Sequence, residues 1–179
     1  MPVIGETRYF VAVFRASAYT DLPRSGAVLV KITTKPFGET EVDEKQIIDF
    51  DDGVLGFDYI KKFAILDSRD NSPFKWMQAL GNPELAFIII RPGDFMSDYR
   101  LVVSQSDLEG VGAENLDGVL IFAIVTIPAD PAAMTANLQG PIIINPKNRK
   151  GRQAISLSDG HGVRHGILDE MKKTAARKG

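Results

Sequence analysis

The two histidines are the residues with the most obvious potential for chemistry. His161 and His165 stand four positions apart in the segment Asp159–His165, and on a helix that spacing places two metal ligands on one face. The glycines within and just after this segment disfavour a helix, and a third ligand would have to be Asp159 or a distant acid. We therefore interpret the segment as a glycine-rich loop and predict no metal site. A small metal-dependent enzyme remains a third hypothesis.

A pair of adjacent carboxylates, Asp51 and Asp52, is the second candidate for catalysis. General acid–base catalysis needs two carboxyl groups in different environments, usually within a cleft. These two precede Gly53 in a turn, where we expect both to be solvated. The sequence has no phosphate-binding or nucleophile motif and no cysteine. We predict a protein that is not an enzyme and holds no cofactor.

A basic cluster, Lys147–Arg152, is the third candidate. Lysine and arginine at this density can neutralise phosphates, but the aromatic side chains that would stack on bases are missing nearby. A solvated hairpin turn explains the cluster at least as well. An RNA-binding β-barrel that uses these residues is the alternative hypothesis.

The charges are unevenly distributed along the 179 residues, although the net charge is only −2. Residues 39–58 hold eight acids and one base, whereas the chain from Lys147 onward holds nine bases and three acids. A fold could bring the two regions together or present two faces of opposite sign. An acidic face of this size favours a basic protein partner over nucleic acid.

The elements that must position these residues are mostly short strands. Apolar runs are separated by turn residues throughout, and the longest run, Val119–Ile127, is too short to span a membrane. There is no strand–helix alternation that would build a parallel sheet, so an all-β sandwich or small barrel is predicted. The predicted strands are Val28–Thr34, Glu41–Phe50, Phe63–Leu66, Phe74–Leu80, Ala86–Ile90, Val119–Ile127, Ile142–Ile144 and Gln153–Leu157.

Helical signals are fewer. Ser106–Glu109 has the pattern of a helix start with a serine cap, and Ile167–Arg177 has acids first and bases last, as a helix dipole prefers. We predict one domain at residues 29–166, preceded by an N-terminal extension at 1–28 and followed by a basic tail or helix at 167–179. An extension, rather than a secretory signal, is favoured because the apolar stretch Tyr9–Phe14 is short.

The most distinctive segment of the chain lies in its last third. It reads I-V-T-I-P at Ile124–Pro128, D-P-A-A-M-T-A-N-L-Q-G-P-I-I-I-N at Asp130–Asn145 and N-R-K-G-R-Q at Asn148–Gln153. Earlier matches follow in the same order: F-D-D-G-V-L-G-F at Phe50–Phe57, S-P-F-K-W-M-Q-A-L at Ser72–Leu80 and N-P-E-L-A-F at Asn82–Phe87. From about Leu29 to His165 this series resembles the FliW family of bacterial flagellar assembly factors. One departure is Leu55, where the family usually has proline.

The resemblance implies a compact β-barrel or pseudobarrel, which agrees with the strand pattern. Together with the helical signals, the prediction is a mainly β, single-domain antiparallel barrel or pseudobarrel with short helical segments and a C-terminal helix. The resemblance also implies two protein partners, flagellin and the RNA-binding translational repressor CsrA. A FliW-like protein would antagonise the repression of flagellin translation by exchanging these partners. We accordingly expect a cytoplasmic protein, monomeric when free, that binds neither nucleic acid nor membrane directly. The absence of cysteine is consistent with a reducing compartment.

The residues expected to carry this function fall into two sets. A small basic repressor would select an acidic surface with aromatic anchors, and the candidates are Glu41, Asp43, Asp49, Asp51, Asp52, Phe57, Asp58 and Tyr59. The second set consists of family-motif residues: Pro128, Asp130, Pro131, Met134, Thr135, Asn137, Leu138, Pro141, Asn145, Arg149, Lys150 and Gly151.

We interpret the motif segment mainly as folding information. Its prolines fix φ and remove backbone donors, so they are expected to cut a long antiparallel run into short pieces. Asn137 and Asn145 are expected to satisfy backbone groups at the resulting corners.

Overall fold

The structure is a computed structural model and describes residues 28–68 and 72–178. Residues 1–27 of the predicted extension therefore lie outside the described part. The strands are β1 (Leu29–Thr34), β2 (Gly38–Asp43), β3 (Ile47–Asp49), β4 (Lys62–Asp67), β5 (Phe74–Ala79), β6 (Ala86–Ile90), β7 (Leu120–Thr126), β8 (Thr135–Asn145), β9 (Lys150–Gln153) and β10 (His165–Gly166). In the part of the chain that the structure describes, two α-helices, α1 (Gln105–Gly110) and α2 (Ile167–Lys178), complete the set together with three short 3-10 helices.

Seven of the strands close into a barrel. They follow the order β8-β7-β6-β5-β4-β3-β9, and β9 pairs again with β8. The pairings are antiparallel except for the contact between β3 and β9, which is parallel at Asp49 and Lys150. The predicted β-barrel is thus confirmed, with one parallel pair at its closure. Closure gives both β8 and β9 a partner on each side, which removes the exposed edges of an open sheet.

Alternation along the strands explains their continuous hydrophobicity. Met77, Ile89 and Phe122 point inward and share the barrel interior with Phe50 and its neighbours. Apolar residues next to them in sequence belong to outer clusters, because successive side chains of a strand face opposite sides; these are Trp76, Ile88, Ile90, Ile121 and Ala123. Helices and a hairpin cover these outer clusters, so β6 and β8 are buried on both faces.

Strand β8 corrects the prediction for the proline-rich segment. It is one strand of 11 residues that runs through Pro141, rather than a run cut there into two pieces. A register shift opposite Phe122 and Ile124 accommodates the proline, since those residues pair with Ile142 and Asn137. The segment therefore contains an irregular bulge in which residues 138–141 of β8 lie opposite Ala123 alone, and a bulge bends a strand without ending it.

The predicted strand Glu41–Phe50 also needs correction, because a 3-10 helix interrupts it after Asp43. The Asp43 carboxylate accepts a hydrogen bond from the Lys45 amide (2.9 Å), and the Gln46 side chain accepts one from the Asp43 amide (2.9 Å). This reciprocal cap starts the helix. The first half of the run then pairs with β1 in a separate two-stranded sheet, while the second half joins the barrel as β3.

Both predicted helices exist with small shifts. Helix α1 is capped by Ser104, whose hydroxyl accepts from the Asp107 amide (3.1 Å), and not by Ser106. Helix α2 packs on the barrel through buried Ile167, and the Thr174 hydroxyl donates to the Phe95 carbonyl (3.2 Å). Within residues 28–68 and 72–178, neither helix is long and apolar enough to cross a membrane.

The last predicted strand, Gln153–Leu157, was placed wrongly, because β9 spans Lys150–Gln153 and overlaps the prediction only at Gln153. β9 ends at Gln153, and the chain continues beside the β8 bulge, where the Ala154 and Ser156 amides donate to the Pro141 and Gln139 carbonyls (2.8 Å each). A sequence pattern that assumes regular strands does not predict irregular pairing beside a bulge.

Candidate functional site

Folding brings the acidic and basic regions of the sequence into contact. We call Asp51–Gly53 the acidic turn and Lys147–Arg152 the basic turn. Lys150 Nζ lies 2.5 Å from Asp51 Oδ2, and Arg152 Nη1 lies 2.6 Å from Asp52 Oδ2. The two aspartates are exposed, as expected for a turn, but each is paired with a base. Asp51 raises the pKa of Lys150, mainly through this hydrogen bond.

Two further contacts join the basic turn to other segments of the protein. Arg149 Nη1 donates to the Glu44 carbonyl (3.0 Å) and carboxylate (3.1 Å). Arg152 Nε donates to Asp107 Oδ1 (2.9 Å), and Asp107 is only 13% exposed. Three of the four bases in the basic turn are therefore engaged with carboxylates, which leaves little free positive charge to attract phosphate.

The two histidines face different surroundings. His161 stacks on Tyr99, with 4.8 Å between ring centroids, and its Nδ1 lies 2.6 Å from the Ser156 hydroxyl. His165 Nε2 lies 3.2 Å from Glu170 Oε2 instead. Burial lowers the pKa of His161 and, to a smaller extent, so does the charge of His165. No group of three or more potential metal ligands occurs among the described residues.

An open cleft of about 640 Å³ lies between the loop after β3, the β8 bulge and the segment that follows β9. Three apolar side chains project at its walls: Leu55 is 88% exposed, Ile155 65% and Val163 58%. The polar lining residues are Asp52, Asp58, Asn137, Gln139 and Gln153. Large exposed apolar side chains that share one concave surface are typical of a binding site for another molecule.

Fixed backbone contacts shape this cleft. The Gln153 side chain accepts from the Leu55 amide (2.9 Å) and donates to the Gly140 carbonyl (3.2 Å), so one amide joins two walls. Gly53 has φ +72°, and a Cβ there would lie 2.6 Å from the Asp58 Cα, so only glycine fits. The cleft thus has a defined shape before anything binds.

The expected partner-binding residues lie in two places. Asp51, Asp52, Phe57, Asp58 and Tyr59 share the loop between β3 and β4, where Tyr59 is 70% exposed and Phe57 packs on Phe87 (5.3 Å between ring centroids). Glu41 and Asp43 belong to the β1–β2 hairpin, where Asp43 caps the 3-10 helix, and Asp49 on β3 pairs with Lys62 (2.9 Å). Within the described residues, Glu41 and Asp58 have no ion pair.

Most family-motif residues serve the fold. Asn137 Oδ1 accepts from the Gln139 (3.1 Å) and Gly140 (2.9 Å) amides, and Asn145 Nδ2 donates to the Val111 and Gly112 carbonyls (3.0 Å each). Both asparagines therefore satisfy neighbouring backbone groups as expected, since Asn145 Oδ1 also accepts from the Lys147 amide (3.1 Å), while the Asn145 Nδ2 contacts reach a distant segment.

The other motif residues act in similar ways. Asp130 caps a 3-10 helix that begins at Pro131, and Pro128 is exposed in the loop before it. Leu138 and Pro141 are buried, Met134 packs on the cluster beneath α2, and Thr135 pairs with Thr126 at the start of β8.

Among the family-motif residues, Gly151 has the clearest steric reason to be glycine. A Cβ at this position would lie 2.6 Å from the Phe50 ring and 2.8 Å from Ile48.

Sequence reasoning missed the apolar walls of the cleft. Leu55 stands in a loop far in sequence from the segment that holds Ile155 and Val163, and a single exposed apolar residue is common in any protein. The only local signal was Leu55 itself, an apolar residue between the glycines of a tight turn.

Comparisons with known proteins agree with the resemblance noted above. The profile of the family described as FliW protein matches residues 31–167. A flagellar assembly factor FliW from Leptospira biflexa is 45% identical over 150 residues, which is 83% of this chain and 98% of that protein. Another, from Treponema denticola, is 45% identical over 143 residues, which is 79% of this chain and 96% of that protein.

A solved structure agrees as well. The crystal structure of a flagellar assembly factor FliW is similar with a TM-score of 0.70 at 32% identity, and the match covers 77% of this chain and 96% of that one. The family profile spans most of the chain and its motif residues hold the observed barrel together, so the protein belongs to the FliW family.

Proposed function

We propose that this protein is a non-enzymatic flagellar assembly factor of the cytoplasm. In this proposal it binds flagellin and a CsrA-type translational repressor in turn and antagonises the repression of flagellin translation. The observation that carries the proposal is the family match across residues 31–167, together with relatives that are named flagellar assembly factor and are covered almost completely.

The surface chemistry supports protein binding rather than catalysis. The paired carboxylates of the acidic turn are exposed and engaged with bases, so their environments do not differ as an acid–base pair requires. The histidines contact different partners. Exposed apolar and aromatic side chains, by contrast, are what protein interfaces use as anchors.

The acidic residues without ion pairs support a basic partner. Glu41 and Asp58 form no ion pair within the described region, although Lys31 lies opposite Glu41 across the hairpin. Asp51 and Asp52 would first have to release Lys150 and Arg152. Because electrostatic complementarity acts mostly on the association rate, these carboxylates would steer the repressor rather than supply most of its affinity.

The alternative, an RNA-binding barrel, finds less support. It depended on the basic turn, and Arg149, Lys150 and Arg152 each pair with a carboxylate. Lys147 is the base of that turn without an ion pair among the described residues.

Partner exchange follows from mass action. Flagellin that accumulates in the cell would occupy the protein, and export of flagellin would free it to act on the repressor. The proposal requires two binding equilibria and no chemical step.

The experiment is a binding measurement with both purified partners. The full chain is titrated with monomeric flagellin and, separately, with the repressor dimer, while a flagellin leader RNA reports repressor occupancy. The proposal predicts that both proteins bind and that the repressor releases the RNA as the chain is added. Binding to neither protein, or direct salt-sensitive binding of the chain to RNA alone, would refute it.

A further inference from the structure

We propose that the cleft walled by Leu55, Ile155 and Val163 is the docking site for an amphipathic helix that carries a basic side chain beside its apolar stripe. The inference rests on the proposed function, in which flagellin is the partner that supplies this helix. It assigns one surface and one binding mode to that partner.

The apolar walls imply a large occupant. Leu55 is 88% exposed at the cleft, and Ile155 and Val163 are more than half exposed. A small molecule at the cleft floor would leave most of these side chains in water, whereas ligand pockets bury most of the ligand between their walls. A helix laid across the cleft can contact all three, because its apolar residues recur along one face.

Satisfied backbone groups at the cleft decide between a helix and an added strand. Residues 138–141 of β8 do not pair with β7, but the Gln139 and Gly140 amides donate to the Asn137 side chain and the Gly140 carbonyl accepts from Gln153. The segment after β9 also uses its Ala154 and Ser156 amides to bond the bulge. Strand addition needs a free sheet edge, so the occupant must gain its affinity from side-chain burial, which is how an amphipathic helix binds.

Charge sets the second requirement on the occupant. The lining includes two carboxylates, Asp52 and Asp58, and no lysine or arginine. Arg152 neutralises Asp52, but Asp58 has no ion pair within the described residues. A lysine or arginine next to the apolar stripe of the helix would complement Asp58, whereas a nucleic acid would be repelled by it.

The rigidity of the walls favours this use. Gln153 links Leu55 to the β8 bulge, and Gly53 fixes the turn beneath it. A preformed apolar cleft loses little conformational entropy on binding, which improves affinity for a given contact area.

The test measures flagellin affinity by calorimetry with Leu55→Asp and Ile155→Asp variants of the full chain. Met171→Asp is the matched control, since Met171 is also exposed and apolar but lies on α2 outside the cleft lining. We expect each cleft variant to bind flagellin at least about tenfold more weakly, and the control to bind within about twofold. All these positions are exposed, so circular dichroism should show unchanged folding. Asp58→Asn should weaken binding a few-fold and reduce its salt dependence.

Several results would overturn the inference. If the cleft variants bind flagellin as tightly as the unmodified chain, flagellin docks elsewhere and only the proposed function survives. If they lose the repressor and keep flagellin, the occupant is assigned wrongly. A dimer of the free chain that Leu55→Asp dissociates would show that a second copy fills the cleft. If the unmodified chain binds no flagellin, the proposed function fails together with this inference.

Discussion

Arg152 donates its Nε–H to the Asp107 carboxylate across 2.9 Å, and this bond joins the basic turn to the first helix. Asp107 is 13% exposed, and its other oxygen accepts from the Ser104 hydroxyl (2.8 Å). Arg152 also reaches the exposed Asp52. A residue that looked like part of a nucleic-acid surface is therefore a structural crosslink between distant segments.

Replacing this arginine should destabilise the fold. Arg152→Ala leaves the largely buried Asp107 carboxylate with the Ser104 hydroxyl as its hydrogen-bond donor. We expect a loss of about 1–3 kcal/mol in the free energy of unfolding. Urea denaturation measures this loss. Lys147→Ala in the same turn is the control and should change the free energy by less than about 0.5 kcal/mol. Equal effects of the two substitutions would contradict the crosslink.

Gly151 should not tolerate a side chain. An added Cβ would overlap the Phe50 ring and Ile48 in the barrel interior, so Gly151→Ala should cost about 1–3 kcal/mol by overpacking. Gly162→Ala is the comparison, because open space surrounds that position and its φ is not positive. Thermal unfolding of both variants tests this. A Gly151→Ala melting temperature equal to that of Gly162→Ala would show that the Phe50 and Ile48 side chains can shift to accommodate the added methyl group.

Two asparagines should act together at the end of α1. Asn145 and Asn148 both donate to the Val111 carbonyl, at 3.0 and 2.9 Å. Either alone can satisfy that oxygen, so the double alanine variant should lose more stability than the sum of the single variants, by about 0.5–1.5 kcal/mol. A double-mutant cycle by urea unfolding measures the difference. Strict additivity would mean that water replaces the missing donors.

Acid sensitivity should depend on Glu170. Burial acts to raise its pKa, but hydrogen bonds from Lys173 and His165 prevail and hold the pKa below the usual 4.5. A depressed folded-state pKa stabilises the fold above the unfolded value, and this contribution is lost as pH falls below 4.5 through the folded value.

Glu170→Gln should therefore flatten the decline in stability at acid pH. The measurement is the unfolding free energy between about pH 7 and pH 3.5. Asp169→Asn is the neighbouring control, since Asp169 is exposed and lies 3.8 Å from Lys172. A pH profile of Glu170→Gln that parallels the unmodified chain would locate the acid sensitivity at another carboxylate.

Strand and helix positions were largely predictable from the sequence. Strands β4 to β7 lie where apolar runs indicated them, since burial on both faces requires continuous hydrophobicity. The largest errors occurred at Asp43, at Pro141 and at the predicted strand Gln153–Leu157. A local cap split one predicted run at Asp43, and a bulge allowed β8 to continue through Pro141. The cap is local to residues 43–46, whereas the bulge depends on contacts with other segments, which a single-strand pattern does not contain.

The candidate site was less predictable. The sequence indicated an acidic region and a basic region but not that they would pair, and it gave no signal that Leu55, Ile155 and Val163 would meet. Residues 98 and 100 positions apart form the contacts between Gln153 and Leu55 and between Arg152 and Asp52.

By itself, the sequence determined the β-rich architecture, the lack of cysteine chemistry and the resemblance to one family, because composition, alternation and ordered motifs are properties of the linear chain. Only the tertiary structure decided which charges neutralise one another and where apolar side chains gather at the surface. The physical reason is barrel closure: it brings β9 beside β3 and β8, and so fixes the distances between groups that the sequence holds far apart.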